Sequence, residues 1–187
     1  MKNVPNILSV FRIFAAIAVL VCMLTIDPAE NRPLFMWLSG LIFGAGCISD
    51  FLDGKIARKY NIVSDFGKFV DPIADKLLTF FTMLGFIFAG ADKGFPFMLI
   101  AVAVTLLREF IVSSVRMMSA TKGVVVAANI YGKLKTVFQM SALIAYYLFI
   151  ETSFIWIAQA LMVIAVVMTL ISGMTYVTGF FKLMDNK

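Results

Sequence analysis

The chain has 187 residues, 61% of them hydrophobic, with 19 Phe and a formal net charge of +5 from 16 Lys and Arg against 11 Asp and Glu. Soluble domains run at about 45–50% apolar, so the composition is that of a membrane protein. There is no histidine, which excludes Ser-His-Asp and Cys-His nucleophilic sites and every His-ligated metal site, and the basic residues form no stripe of the kind that binds nucleic acid.

The two cysteines, Cys22 and Cys47, fall inside apolar runs and read as small buried hydrophobes rather than as a disulfide. Any metal must then be held by oxygen ligands, which favours Mg²⁺, Mn²⁺ or Ca²⁺.

A spanning helix needs roughly 20 apolar residues. The first candidate covers 7–26, after Val4-Pro5-Asn6. Arg12 interrupts its start, so the span is expected to begin near Ile13, with the preceding residues lying along the interface as an amphipathic turn or two. A secretory signal peptide is the competing reading of this terminus. Arg12 stands where its apolar core should be and no clear small-residue cleavage site follows, which argues against it.

Residues 27–33 make a polar turn, a second helix runs over about 34–58, and 59–64 form a basic connection. A third helix is expected over 65–89, a tight turn at 90–94, and a fourth helix over 95–120 that carries Arg108, Glu109 and Arg116. The segment 121–135 reads as a longer connection, followed by a fifth helix to about residue 150, a brief turn at 151–153 and a sixth helix over 154–180.

These elements make an all-α polytopic membrane protein with six transmembrane helices, organised as a single membrane domain over 1–187. Short loops put both termini on one side. All the basic residues except Arg32 and Lys93 fall on that side, so the positive-inside rule makes both termini cytoplasmic.

The informative stretch is 50–75. Asp50 and Asp53 are three residues apart and share a helix face, with Gly54 and Ala57 on the same stripe. Asp71 and Asp75 are four apart on the next helix, with Gly67 one turn earlier. A short connection makes the two helices antiparallel neighbours, which would let four carboxylates converge at the cytoplasmic boundary. Charges at membrane depth are costly and tend to mark function, and four carboxylates so close call for divalent metal. Two ions bridged by carboxylates would suit phosphoryl chemistry. The plainer alternative is four solvated carboxylates balancing Lys55, Arg58, Lys59 and Lys68.

The pattern Asp-x2-Asp-Gly-x2-Ala-Arg-x8-Gly-x3-Asp-x3-Asp is met at each fixed position by Asp50, Asp53, Gly54, Ala57, Arg58, Gly67, Asp71 and Asp75. It resembles the signature of the CDP-alcohol phosphotransferases, a family with a six-helix membrane core, so the resemblance covers essentially the whole chain. It implies that Asp50, Asp53, Asp71 and Asp75 ligate two divalent cations, Mg²⁺ or Mn²⁺, which hold the diphosphate of a CDP-linked donor. It further implies that Asp75 is the general base for the acceptor hydroxyl, and that Gly54, Ala57, Arg58 and Gly67 accommodate the CDP group. A homodimer is expected from the same resemblance.

For the acceptor, the cytoplasmic side offers Arg108, Arg116, Lys133 and Lys135. Arginines without an equal number of carboxylates point to an anionic ligand. The alternatives are a structural ion pair with a neighbouring helix for Arg108, which stands next to Glu109, and a positive-inside anchor role for Lys133 and Lys135. The stretches 3–12, 66–78, Arg108-Glu109 and 132–136 resemble a bacterial branch of the family that uses CDP-diacylglycerol as donor and sn-glycerol 3-phosphate as acceptor. That likeness implies phosphate binding by Arg108, Arg116, Lys133 and Lys135, and places Asn6, Ser9 and Arg12 near the donor head group. The expected setting is the bacterial cytoplasmic membrane, with the site facing the cytoplasm. Two other functions stay open: the same chemistry on another acceptor such as inositol phosphate, and a divalent-cation transporter. Against transport, nothing ionisable continues the path to the outer side.

Overall fold

A computed structural model describes residues 4–25, 32–60, 65–89, 95–121 and 130–185. Within these ranges the chain is helical apart from short turns. The helices are α1 (Val4–Leu24), α2 (Arg32–Tyr60), α3 (Asp65–Phe88), α4 (Phe95–Thr121), α5 (Ile130–Phe149) and α6 (Ile155–Asp185). The links expected at 27–33, 59–64 and 90–94 and the segment 121–135 fall largely outside the described residues.

Among the described residues four helices carry segments long and apolar enough to cross a membrane: Asn6–Leu24, Arg32–Lys55, Phe97–Ser119 and Ile155–Phe181. The chain is a multi-pass membrane protein. The other two helices open on charge, α3 with Asp71, Asp75 and Lys76 and α5 with Lys133 and Lys135. Their uncharged runs, 77–88 and 136–149, fall below the roughly 20 residues of a typical span.

The chain divides into two compact units, residues 1–95 and 96–187. In the first unit α1 packs along both α2 and α3, while α2 and α3 meet each other only over a short stretch. This corrects the expected pairing of α2 with α3 as direct antiparallel neighbours. The reason lies in the buried stripe of α1, where Ser9, Arg12, Ala16, Val19 and Met23 recur at spacings of three and four. Small residues there let α1 sit close to both partners. Where α2 and α3 do touch, Gly46 makes the contact possible: a Cβ at that position would lie 2.7 Å from Leu78 Cδ2.

At the start of α1 the helix is continuous from Val4 through Arg12, so the turns before Ile13 belong to the same helix as the apolar run that follows. Arg12 does not interrupt it because its guanidinium is buried against carboxylates of α2 and α3 and is not exposed to the hydrocarbon.

In the second unit α5 packs along α6. The buried stripe of α6 runs through Ala158, Met162, Ala165, Thr169, Ser172, Tyr176 and Phe180, again at spacings of three and four. The stripe of α5 runs through Lys135, Gln139, Ala142, Leu143 and Tyr146. Here the expected connection through residue 135 is corrected, since α5 begins at Ile130 and takes Lys133 and Lys135 into its first turns. The buried Lys135 ammonium finds a carboxylate on α4, which removes the physical reason for keeping that turn out of the helix.

Candidate active site

The first unit brings three of the four signature carboxylates around one cation. Arg12 Nη1 donates to Asp50 Oδ1 and Arg12 Nη2 to Asp53 Oδ2. Arg12 Nη2 also lies 3.7 Å from Asp71 Oδ1. Ser9, one turn earlier on α1, donates its hydroxyl to the same Asp71 oxygen. The guanidinium is 1% exposed and Asp53 6%, whereas Asp50 and Asp71 are half-buried. A buried charge is tolerated only when it is paired and hydrogen-bonded, and a fork of donors meeting carboxylates from two helices satisfies that condition.

Each helix supplies its part through the period of its buried face. On α2, Ser49 and Asp53 continue the stripe set by Met36, Ser39, Phe43 and Gly46, which carries a polar end into the packed side of an apolar helix. On α3, Gly67, Val70, Ala74 and Leu78 are buried, and Asp71 and Asp75 lie one residue further along that face, both half-buried. Pro72 stands between them inside the helix. Its ring nitrogen cannot donate to the Lys68 carbonyl, so one backbone acceptor is released in the turn that carries Asp71.

Gly54 is half-buried and Gly67 buried. Ala57 and Arg58 belong to α2, but their side chains lie outside the described residues. Asn6 is half-buried near the start of α1. Asp75, one turn beyond Asp71, accepts a bond at its backbone carbonyl from Thr79 Oγ1 at 3.2 Å.

Among the described residues no group of three His, Cys, Asp or Glu is arranged to hold a metal ion. The carboxylates converge on Arg12 instead. As a donor set they are chemically suited to a hard divalent cation: carboxylate oxygens from α2 and α3 and a hydroxyl from α1, drawn together at one point.

The second unit holds the cationic cluster. Arg108 Nη1 donates to Glu109 Oε1 at 2.8 Å, and Lys135 Nζ donates to that same oxygen at 2.7 Å, tying α5 to α4. Arg108 Nη2 donates to Ser172 Oγ on α6 at 2.6 Å. Arg116 Nη2 donates to Tyr176 Oη at 2.8 Å. Gly132 permits this convergence, because a Cβ there would lie 3.1 Å from Arg108 Nη2 and 3.4 Å from Ser172 Oγ. Arg108 and Lys135 are thus joined through Glu109; Arg116, itself exposed, ties α4 to α6 through Tyr176; and Lys133 is exposed on α5. Arg108 pairs with Glu109 on its own helix, and the ion pair to a neighbouring helix is the one between Glu109 and Lys135 of α5.

Three contributors were not singled out from the sequence: Ser172, Tyr176 and Gly132. The first two carried a usable signal, polar groups on the buried period of an otherwise apolar helix, where they must find partners.

Residues 2–171 match the CDP-alcohol phosphatidyltransferase family, a match that runs through α1 to α5 and the first half of α6, and the chain belongs to that family of membrane enzymes. Its relatives narrow the comparison. It is 38% identical over 179 residues to the CDP-diacylglycerol–glycerol-3-phosphate 3-phosphatidyltransferase of Rickettsia bellii (strain RML369-C), covering 94% of this chain and 93% of the relative. It is 33% identical over 186 residues to the protein of the same name from Bacillus subtilis (strain 168), covering 94% of each. A third, from Mycoplasma genitalium, is 34% identical over 157 residues, covering 76% of this chain and 64% of the relative.

Proposed function

We propose that this protein transfers the phosphatidyl group of CDP-diacylglycerol to sn-glycerol 3-phosphate, giving phosphatidylglycerophosphate and CMP. The observation that carries the reading is the 38% identity, over 94% of the chain, to a relative named for that reaction. The gathering of Asp50, Asp53 and Asp71 about one positive group supports the chemistry.

In this reading Asp50, Asp53, Asp71 and Asp75 hold two divalent cations, Mg²⁺ or Mn²⁺. The ions, when bound, neutralise the diphosphate and the charge that develops on departing CMP. Asp75 takes the proton from the acceptor hydroxyl. The hydroxyl oxygen then bonds to the phosphorus nearest the lipid, the bridging P–O bond breaks, and its electron pair leaves with CMP. Gly54, Ala57, Gly67 and Arg58 accommodate the CDP group, and Asn6, Ser9 and Arg12 lie beside the donor head group. Arg108, Arg116, Lys133 and Lys135 bind the acceptor phosphate.

The same proposal has six transmembrane helices, both termini in the cytoplasm, a homodimeric assembly, and a site on the cytoplasmic face of a bacterial inner membrane. The lengths of α3 and α5, 24 and 20 residues, support six crossings, since they reach about 36 and 30 Å at 1.5 Å per residue. Their charged first turns then lie at the boundary.

The test is transfer by the purified enzyme from CDP-diacylglycerol to labelled glycerol 3-phosphate. Product is expected with Mg²⁺ or Mn²⁺ and not with a chelator, and Asp71→Asn and Asp75→Asn are each expected to lower kcat at least about 100-fold. Full activity in either variant would remove these carboxylates from the mechanism. Product from inositol phosphate but not from glycerol 3-phosphate would change the acceptor alone.

A further inference from the structure

Arg108 and Arg116 are eight residues apart on α4, a rise of about 12 Å along the helix axis. Their guanidiniums nonetheless meet at one aromatic ring. The Arg108 Cζ lies 5.7 Å and the Arg116 Cζ 5.3 Å from the centroid of Tyr176. Tyr176 is 3% exposed, one turn beyond the Ser172 hydroxyl that accepts from Arg108, so the packing of α6 fixes the ring.

Two like charges at one ring repel each other, and the negative face of the ring offsets part of that repulsion. The nearby acid does not balance the set. Glu109 Oε1 is shared by Arg108 and Lys135. Of the other acidic residues in 96–187, Glu151 follows the far end of α5 and Asp185 ends α6. Among the described residues of this unit three cations thus meet one carboxylate, a balance that suits the doubly charged phosphate monoester present near neutral pH.

We propose that Tyr176 is the positioning residue that makes this cluster selective for a phosphorylated acceptor. Its ring holds the Arg108 and Arg116 guanidiniums as a preformed pair, and its hydroxyl fixes the orientation of Arg116. Phosphate then meets two ordered forks in place of two long, mobile side chains, and the entropy of ordering them is spent in folding rather than in binding. The inference rests on the reading that the acceptor is glycerol 3-phosphate.

The experiment uses the full-length enzyme in detergent with CDP-diacylglycerol, comparing the wild type with Tyr176→Leu and Tyr176→Phe. Tyr176→Leu is expected to raise the KM for glycerol 3-phosphate about tenfold, and the inhibition constant of inorganic phosphate by a similar factor. Its kcat and its KM for CDP-diacylglycerol should stay within about twofold of wild type. Tyr176→Phe keeps the ring and is expected to raise the same KM only about two- to threefold.

An unchanged KM in Tyr176→Leu, equal losses in the two variants, or a fall in kcat with KM unchanged each overturns the proposal. If Tyr176→Leu does not fold, Tyr176→Phe is measured in an Arg116→Met background. There it should have no further effect on the KM, because the Arg116 donor to its hydroxyl is gone, and additive losses overturn the proposal. Wild-type enzyme that uses inositol phosphate in place of glycerol 3-phosphate refutes the acceptor reading alone, and the same KM comparison then decides the role of Tyr176 on that phosphate monoester. No product with either acceptor refutes both.

Discussion

The Arg12 guanidinium of α1 donates to the Asp53 carboxylate of α2 at a point where both side chains are buried. The pair ties the first two helices together, and through Asp71 it reaches the third. Attraction inside a membrane protein is offset by the cost of removing both ions from water, so the pair as a whole adds little to stability. Taking away one partner is another matter, because the other is left buried and charged.

Arg12→Gln is therefore expected to lower the unfolding free energy by about 3 kcal/mol, at the lower end of the range for breaking a buried pair. Asp50 and Asp71 are half-buried and regain water, so most of the loss comes from Asp53. Adding Asp53→Asn to Arg12→Gln should recover about half of it, since the stranded charge is gone. Thermal or denaturant unfolding in detergent, with chelator present, reads both values. A single variant as stable as wild type, or a double variant that loses the sum of the two singles, would show that the pair is not the tie between these helices.

Glu109 plays the opposite part in the second unit, one carboxylate oxygen shared by two cations from α4 and α5. Glu109→Gln leaves Arg108 and Lys135 repelling each other, with a loss of about 1–3 kcal/mol expected. Inorganic phosphate should restore part of that loss by supplying the missing negative charge. Its stabilising effect on the melting temperature is thus expected to be larger in Glu109→Gln than in wild type. An equal shift in the two proteins would mean that phosphate does not reach these cations.

The helices were legible because their apolar runs are long and their breaks are polar, and the all-α membrane class needed nothing more. The carboxylate spacing was legible for a similar reason: Asp50 with Asp53 and Asp71 with Asp75 are local pairs, and helical geometry alone puts each on one face. What pattern could not supply was the partner of Arg12. A lone arginine in an apolar segment looks like a helix start, and only the three-helix packing brings Asp53 to it. The start of α5 was missed on the same ground, since Lys135 reads as a boundary residue until Glu109 is found across from it. Tyr176, the one tyrosine of α6, could be marked from its polar tip on the buried period of an apolar helix, but nothing local says that its partners are two arginines of α4.

The crossing of α5 gives the last prediction. Its 20 residues reach about 30 Å, the thickness of the hydrocarbon core, with Lys133 exposed in its first turn and Glu151 exposed just past its end. If α5 spans, those two positions lie on opposite sides of the membrane, with Lys133 inside by the positive-inside rule. The native cysteines, Cys22 in α1 and Cys47 in α2, are removed first as Cys22→Ala and Cys47→Ala. Single cysteines are then introduced as Lys133→Cys or Glu151→Cys. In cells whose outer barrier admits a membrane-impermeant maleimide, Glu151→Cys should be labelled directly, and Lys133→Cys only after the inner membrane is opened. Labelling of both positions from the same side would mean that α5 enters and leaves by one face, which would reduce the six crossings and place one of the two termini outside the cytoplasm.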